Sequence, residues 1–140
     1  MQAQKFKIYQ MTAIFSMLFA LLGFSYNVWR MEVTEENSNI RTACFEILLE
    51  LSNLEQQIYA LHYDKDQIAG NPRKGWVKVG LIADLSTLTK DSVKEEAQEL
   101  KDIWSSKWDK IEYDQSATNN MVTQIEAVRS EIKLVLSTLE

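Results

Sequence analysis

The feature that most constrains this chain is a run of 22 residues, Ile8 to Trp29, without a charged side chain. A helix rises ~1.5 Å per residue, so the run covers ~33 Å, enough for the ~30 Å hydrocarbon core of a bilayer. Tyr9 stands at one end, and Tyr26 and Trp29 at the other. Amphipathic rings settle at headgroup depth, so these three residues form the expected membrane belt, with residues 8–29 against lipid. A buried helix of a water-soluble fold seldom runs this far without a charge. A cleaved signal peptide is the stronger rival: Lys5 and Lys7 supply a basic start, and Gly23-Phe24-Ser25 a poor cleavage site. Bulky Tyr26, Val28 and Trp29 then follow without a turn, which favours an uncleaved signal anchor within residues 1–30.

Orientation follows from the flanks. Lys5 and Lys7 precede the run; Arg30 follows it, with Glu32, Glu35 and Glu36 close behind. The basic bias places the N-terminus in the cytoplasm and residues 31–140 outside, in the periplasm if the cell is bacterial. All twenty acidic residues lie beyond position 30, against thirteen basic ones counting Arg30, a net charge of −7 for that part. Such a balance favours solubility and disfavours anionic headgroups, and it gives no basic excess to neutralise the phosphates of a nucleic acid. One Cys, one Pro and four Gly exclude disulfide-rich and collagen-like chains.

The outer part reads as all-α. Ile40, Cys44, Ile47, Leu51, Leu54, Ile58 and Leu61 are spaced 4, 3, 4, 3, 4, 3, a heptad seam that extends back to Asn37. Phe45, Leu48 and Tyr59 make a second apolar line. The expectation is a transmembrane helix continuing as one long helix through 31–68. Gly70 as a left-handed cap and Pro72 then define a turn over 69–75. A short helix is expected at 76–89 with Val77, Leu81, Leu85 and Leu88 inward. Ser92-Val93-Lys94-Glu95 has the form of a capping box opening a helix over 93–113, with Val93, Ala97, Leu100, Trp104 and Ile111 inward. Met121, Ile125, Val128, Ile132, Val135 and Leu139 repeat 4, 3, 4, 3, 4 and predict a helix over 118–139.

These helices are expected to fold back as an antiparallel bundle. If 76–113 together run back toward the membrane and 118–139 turns outward, only two helices meet at the far tip. Two helices bury little core, so the lengths point to a parallel homodimer along the seam Asn37, Ile40, Cys44, Ile47, Leu51, Leu54, Ile58 and Leu61. Asn37 there fixes register, and Cys44 offers an intersubunit disulfide; the plainer reading of Cys44 is a small core residue.

Catalytic chemistry is not expected. Cys44 and His62 are the only residues of their types and lie 18 apart on one helix, ~27 Å, too far for a nucleophile–base pair. Neither a zinc ligand set nor a phosphate-binding glycine loop is present, so no metal or cofactor is expected. The most suggestive cluster is Arg73, Lys74, Trp76 and Lys78 at the turn: basic and aromatic residues of the kind that make contact sites, on an otherwise acidic domain. The plain alternative is a capped turn with Trp76 in the core and solvated lysines.

In outline this architecture resembles bacterial single-pass proteins with a helical extracytoplasmic domain, such as the ligand-binding half of chemoreceptors and small coiled-coil envelope scaffolds. With seven residues before the run, a complete signalling receptor is not expected. The function expected is a non-enzymatic structural or interaction module of the cell envelope that meets an envelope protein partner. A sensor-like ligand-binding bundle acting through another membrane protein is the alternative.

Overall fold

The structure is a computed structural model that describes residues 1–139. It is all-helical, with α1 Gln2–His62, α2 Pro72–Ser86, α3 Asp91–Lys107 and α4 Gln115–Thr138. The chain divides into two units, Met1–Glu36 and Asn37–Glu140.

The first unit is helical from Gln2 and holds the uncharged run. Its side chains from Ile8 to Trp29 are all exposed, and none of the most apolar 18-residue window is buried within the protein. The helix is long and apolar enough to cross a membrane near the N-terminus. Thr12 turns its hydroxyl back to the Ile8 carbonyl at 2.9 Å, so that polar group is satisfied inside the helix.

The second unit is a four-helix bundle. Lys78 on α2 pairs with Glu50 on α1, while Gln57 of α1 reaches Asn71 just before α2, so these helices run antiparallel. His62 meets Gln115, Glu55 meets Arg129, and Arg41 reaches the Leu139 carbonyl, so α4 also runs antiparallel to α1. Gln124 of α4 clips both the carbonyl and the carboxylate of Glu96 on α3. Each helix reverses the one before it, an up-down-up-down bundle closed by short connections. The expected path, with 76–113 running one way and 118–139 the other, is therefore corrected: 87–90 turns α3 back on α2.

One contiguous core fills the bundle. The α1 seam from Ile40 through Cys44, Ile47, Leu51, Leu54, Ile58 and Leu61 is buried against α2–α4, with Cys44 fully enclosed. Val93, Ala97, Leu100 and Trp104 of α3, Ile111, and Met121, Ile125, Val128, Ile132 and Val135 of α4 complete it, as their spacing predicts. Leu139 packs at the edge.

This closure fills the seam along which a dimer was expected. Ile40, Cys44, Ile47, Leu51, Leu54, Ile58 and Leu61 face their own chain's helices, so the seam is not a surface for a second copy and Cys44 is not presented for an intersubunit disulfide. Asn37, at the lower end of the seam, is half-buried.

Several boundaries also move. The first helix stops at His62 rather than Ile68, because the chain turns at Lys65, the one non-glycine with positive φ (54°) among the described residues. Gly70 is not the left-handed cap. It is buried against Leu61, where an added Cβ would lie 2.5 Å from the Leu61 Cβ. The turn does not extend to 75: Pro72 opens α2, with Asn71 as N-cap accepting from the Arg73 amide at 3.0 Å. The capping box at Ser92 does not form, since the helix begins at Asp91, two residues before the expected 93, after Lys90. The helix expected to reach 113 ends at Lys107, and a chain of turns, 108–113, delivers Ile111 to the core. The last helix starts at Gln115, capped by the Asp114 carboxylate on the Ser116 amide at 2.8 Å.

The face of α2 is the largest correction. Its buried residues are Gly75, Val79, Ile82 and Ser86, while Val77, Leu81 and Leu88 are exposed and Leu85 is half-buried. The reason is Trp104, whose ring sits where a Cβ on Gly75 would come within 2.2 Å. Only glycine lets α2 approach that indole.

Candidate functional site

The basic cluster lies at the start of α2. Arg73 and Lys74 occupy its first turn, and Lys78 follows one turn after Lys74. Arg73 and Lys74 are exposed and Lys78 is half-buried. Lys74 Nζ donates to the Ile68 carbonyl at 3.3 Å, and Lys78 Nζ meets Glu50 at 3.3 Å. Trp76 is 38% exposed and lies edge-on to Trp104, ring centres 6.4 Å apart. It is neither a free contact residue nor a core residue: it caps the buried indole and keeps one edge in solvent. The structure thus brings Lys74 and Lys78 to one groove and sends Trp76 to the α3 side.

That groove, of about 510 Å3, lies between α1 and α2, lined by Asn53, Gln56, Gln57, Ala60, Lys74 and Lys78 among others. Sequence periodicity gave no sign of Gln57. It is 5% exposed and donates from Nε2 to the Asn71 carbonyl at 2.6 Å, tying α1 to the cap of α2. Its Oε1 and the Trp104 Nε1 are the buried side-chain polar atoms left without a partner among the described residues.

A second cavity, of about 390 Å3, lies on the other side of the Asn71 cap, lined by Gln67, Trp108, Asp109, Glu112 and Tyr113 among others. The Tyr113 hydroxyl is pushed up by its hydrogen bond to Glu112 and by that carboxylate's charge. Trp104 and Trp108, four residues apart, part here: Trp104 is core, and Trp108 is the C-cap of α3, on this cavity's wall.

His62, buried at the end of α1, bonds through its ring nitrogens to the Ile111 carbonyl and Gln115, with Tyr63 edge-on at 4.7 Å. Cys44 lies 18 residues away on the same helix, ~27 Å. Burial pushes its thiol up from the ordinary range. Asp66 spends its carboxylate on the amides of Ile68 and Ala69, both 2.9 Å, which hold it below the usual carboxylate range. Among the described residues no group of three or more His, Cys, Asp or Glu gathers around a metal-sized space.

In the first unit, Tyr9, Tyr26 and Trp29 are all exposed, and the Tyr26 and Trp29 rings lie 6.1 Å apart at one end of the uncharged run. The chain matches no protein-family model, no curated protein and no solved structure.

Proposed function

We propose that this chain is a single-pass membrane-anchored helical protein, a non-enzymatic interaction module of the cell envelope. The observation that carries the reading is that the most apolar window of α1 finds no burial within the protein. A core helix of a soluble fold would be covered; at ~25 cal/mol per Å2 of apolar surface, lipid is the favourable environment for so many exposed aliphatic and aromatic side chains. On this reading residues 8–29 cross the inner membrane, the N-terminus is cytoplasmic, and the bundle is periplasmic or extracellular. The basic corner at Arg73, Lys74 and Lys78 meets an acidic envelope partner. Self-association is not part of the reading, because the seam that argued for it is filled within one chain.

The test has two arms. Membranes are washed with alkaline carbonate and the protein's N-terminus is sequenced. Retention in the pellet with Met1 through Ser25 intact is expected; a soluble product starting near Tyr26 would identify a cleaved leader and overturn the anchor. For the partner, a photo-crosslinking residue at Val77 should give a discrete adduct in intact membranes that Arg73→Glu with Lys74→Glu abolishes. An adduct indifferent to that charge reversal sinks the basic corner as a contact. The polar groove beside Gln57 favours, as second reading, a sensor-like bundle that holds a small ligand and acts through another membrane protein.

A further inference from the structure

Of the second apolar line on α1, Leu48 packs partly against the core, but Phe45 and Tyr59 face outward. They belong to a longer seam. Phe45, Leu49, Ser52, Gln56, Tyr59 and Tyr63 are spaced 4, 3, 4, 3, 4, so at ~100° per residue they fall within about 40° of one line along the helix. The bundle leaves that line open. Glu50 and Gln57 turn to α2, Glu55 and His62 turn to α4, and the seam lies between them, away from the core. Phe45 and Leu49 are each 56% exposed. The hydroxyls of the seam are already served within the chain. Ser52 donates to the Leu48 carbonyl at 3.0 Å, Tyr59 donates to Glu55 at 3.0 Å, and Tyr63 accepts from Gln115 at 3.1 Å. Covering the two tyrosine rings therefore strands no hydroxyl.

Two further observations name the occupant. Arg41 and Glu46 flank the seam on opposite sides, and neither belongs to an ion pair among the described residues. Arg41 reaches the Leu139 carbonyl only at 3.4 Å. In two parallel helices in register, a flanking residue meets the one five positions on in the other helix, so Arg41 faces Glu46 of a second copy. The spacing of the uncharged run agrees. Ala13, Ser16, Ala20, Gly23 and Asn27 recur at 3, 4, 3, 4, and Asn27 precedes Phe45 by 18 residues, five turns at ~3.6. Small residues with a polar one among them let two helices approach closely in lipid.

We propose that this open face of α1 binds a second copy of the chain, parallel and in register, about a two-fold axis along the helix. Phe45 and Leu49 bury against their counterparts. Gln56 pairs amide to amide and fixes the register, and the Arg41–Glu46 contact forms twice by symmetry. This face is not the seam filled by the bundle, so each copy keeps its own core. Only the parallel sense rests on the anchor reading, since both copies then sit in one membrane. Carbonate extraction reports the anchor and cross-linking reports the face, so the two fail separately.

The full chain in mild detergent is oxidised as three single variants and run on non-reducing gels. Thr42→Cys and Gln56→Cys lie on the seam, and Ser130→Cys is on the exposed side of α4. Thr42 and Gln56 are 14 residues apart, ~21 Å, so only a parallel pair lets each link to its own counterpart. Both should give a dimer band. Ser130→Cys and the parent chain, whose Cys44 is enclosed, should give none. Sedimentation should find a dimer. Leu49→Glu should weaken it roughly a hundredfold by burying an unpaired carboxylate, with the circular-dichroism melt of the bundle unchanged. Arg41→Glu should weaken it roughly two- to fivefold, and adding Glu46→Arg should restore it. A chain that stays monomeric at ~100 µM overturns the proposal. So does a band from only one of the two seam cysteines, a Ser130→Cys band as strong as theirs, or a dimer that Leu49→Glu leaves intact.

Discussion

His62 Nδ1 lies 2.6 Å from the carbonyl oxygen of Ile111, joining the last turn of α1 to the turns that lead into α4. A carbonyl only accepts, so Nδ1 carries the hydrogen. The same carbonyl also accepts from Thr118 Oγ1 at 3.1 Å. His62→Phe keeps an aromatic ring in the space and removes the donor, while Thr118 still satisfies the oxygen. A loss of about 1–2 kcal/mol is expected, read as a lower denaturant midpoint with an unchanged slope. An unchanged midpoint would mean that this junction adds nothing to stability.

Gly75 and Gly80 sit on the same helix and should answer the same substitution with opposite signs. A Cβ at Gly75 meets the Trp104 ring at 2.2 Å, and that indole is fully buried. Gly75→Ala must push α2 or the ring aside, an overpacking cost of about 1–3 kcal/mol. A Cβ at Gly80 meets nothing within 4 Å. Gly80→Ala should raise stability by about 0.5–1 kcal/mol, since alanine loses less backbone entropy in a helix. Thermal melting of both variants by circular dichroism checks the pair; equal shifts in one direction would refute the packing account.

That contrast explains what was legible beforehand. The seams of α1, α3 and α4 are written in large aliphatic residues, so their periodicity exposed them: Ile47 and Leu51, Leu100, Ile125 and Ile132 all lie in the core. The seam of α2 begins at Gly75 and ends at Ser86, two residues with no apolar signal. Gly75 is inward because Trp104 needs the room, and Ser86 because its hydroxyl turns back to the Ala83 carbonyl at 2.6 Å. Both are tertiary facts. The line Val77, Leu81 and Leu88 scored better on hydrophobicity and is solvent-facing. At the candidate site the lysines were visible as charges. Gln57 was not, because its importance comes from a bond to Asn71 across a turn.

Cys44 should report the integrity of the bundle. Its thiol is fully enclosed, and burial raises its pKa above the ordinary 9.0. A thiol group raised on folding favours the folded state at pH below the unfolded value. That contribution is lost as pH climbs past about 9 toward the folded value, because only the unfolded chain then gains by ionising. Alkylation by iodoacetamide at pH 8 should therefore be slow and should accelerate with the unfolding transition. Rapid labelling under native conditions would show that the α1 seam opens freely. The variant Cys44→Ala should flatten the alkaline loss of stability.

The turn after α1 should respond at the acid end. Asp66 holds the amides of Ile68 and Ala69 at 2.9 Å each, and those two bonds lower its carboxyl from the ordinary value of 3.8. A carboxyl lowered on folding favours the folded turn above its unfolded value, and the contribution disappears as pH falls through the folded value. Backbone amides donate to a neutral amide oxygen as well as to a carboxylate, though less strongly. Asp66→Asn should therefore keep the turn but lose its acid sensitivity, whereas Asp66→Ala should lose both. Amide exchange at Ile68 and Ala69, followed from about pH 5 downward, separates the three chains. Protection in the parent chain should fall toward that of Asp66→Asn as the carboxylate is neutralised. If Asp66→Ala protects these amides as well as the parent does at pH 5, the carboxylate is not what holds the chain between Lys65 and Gly70.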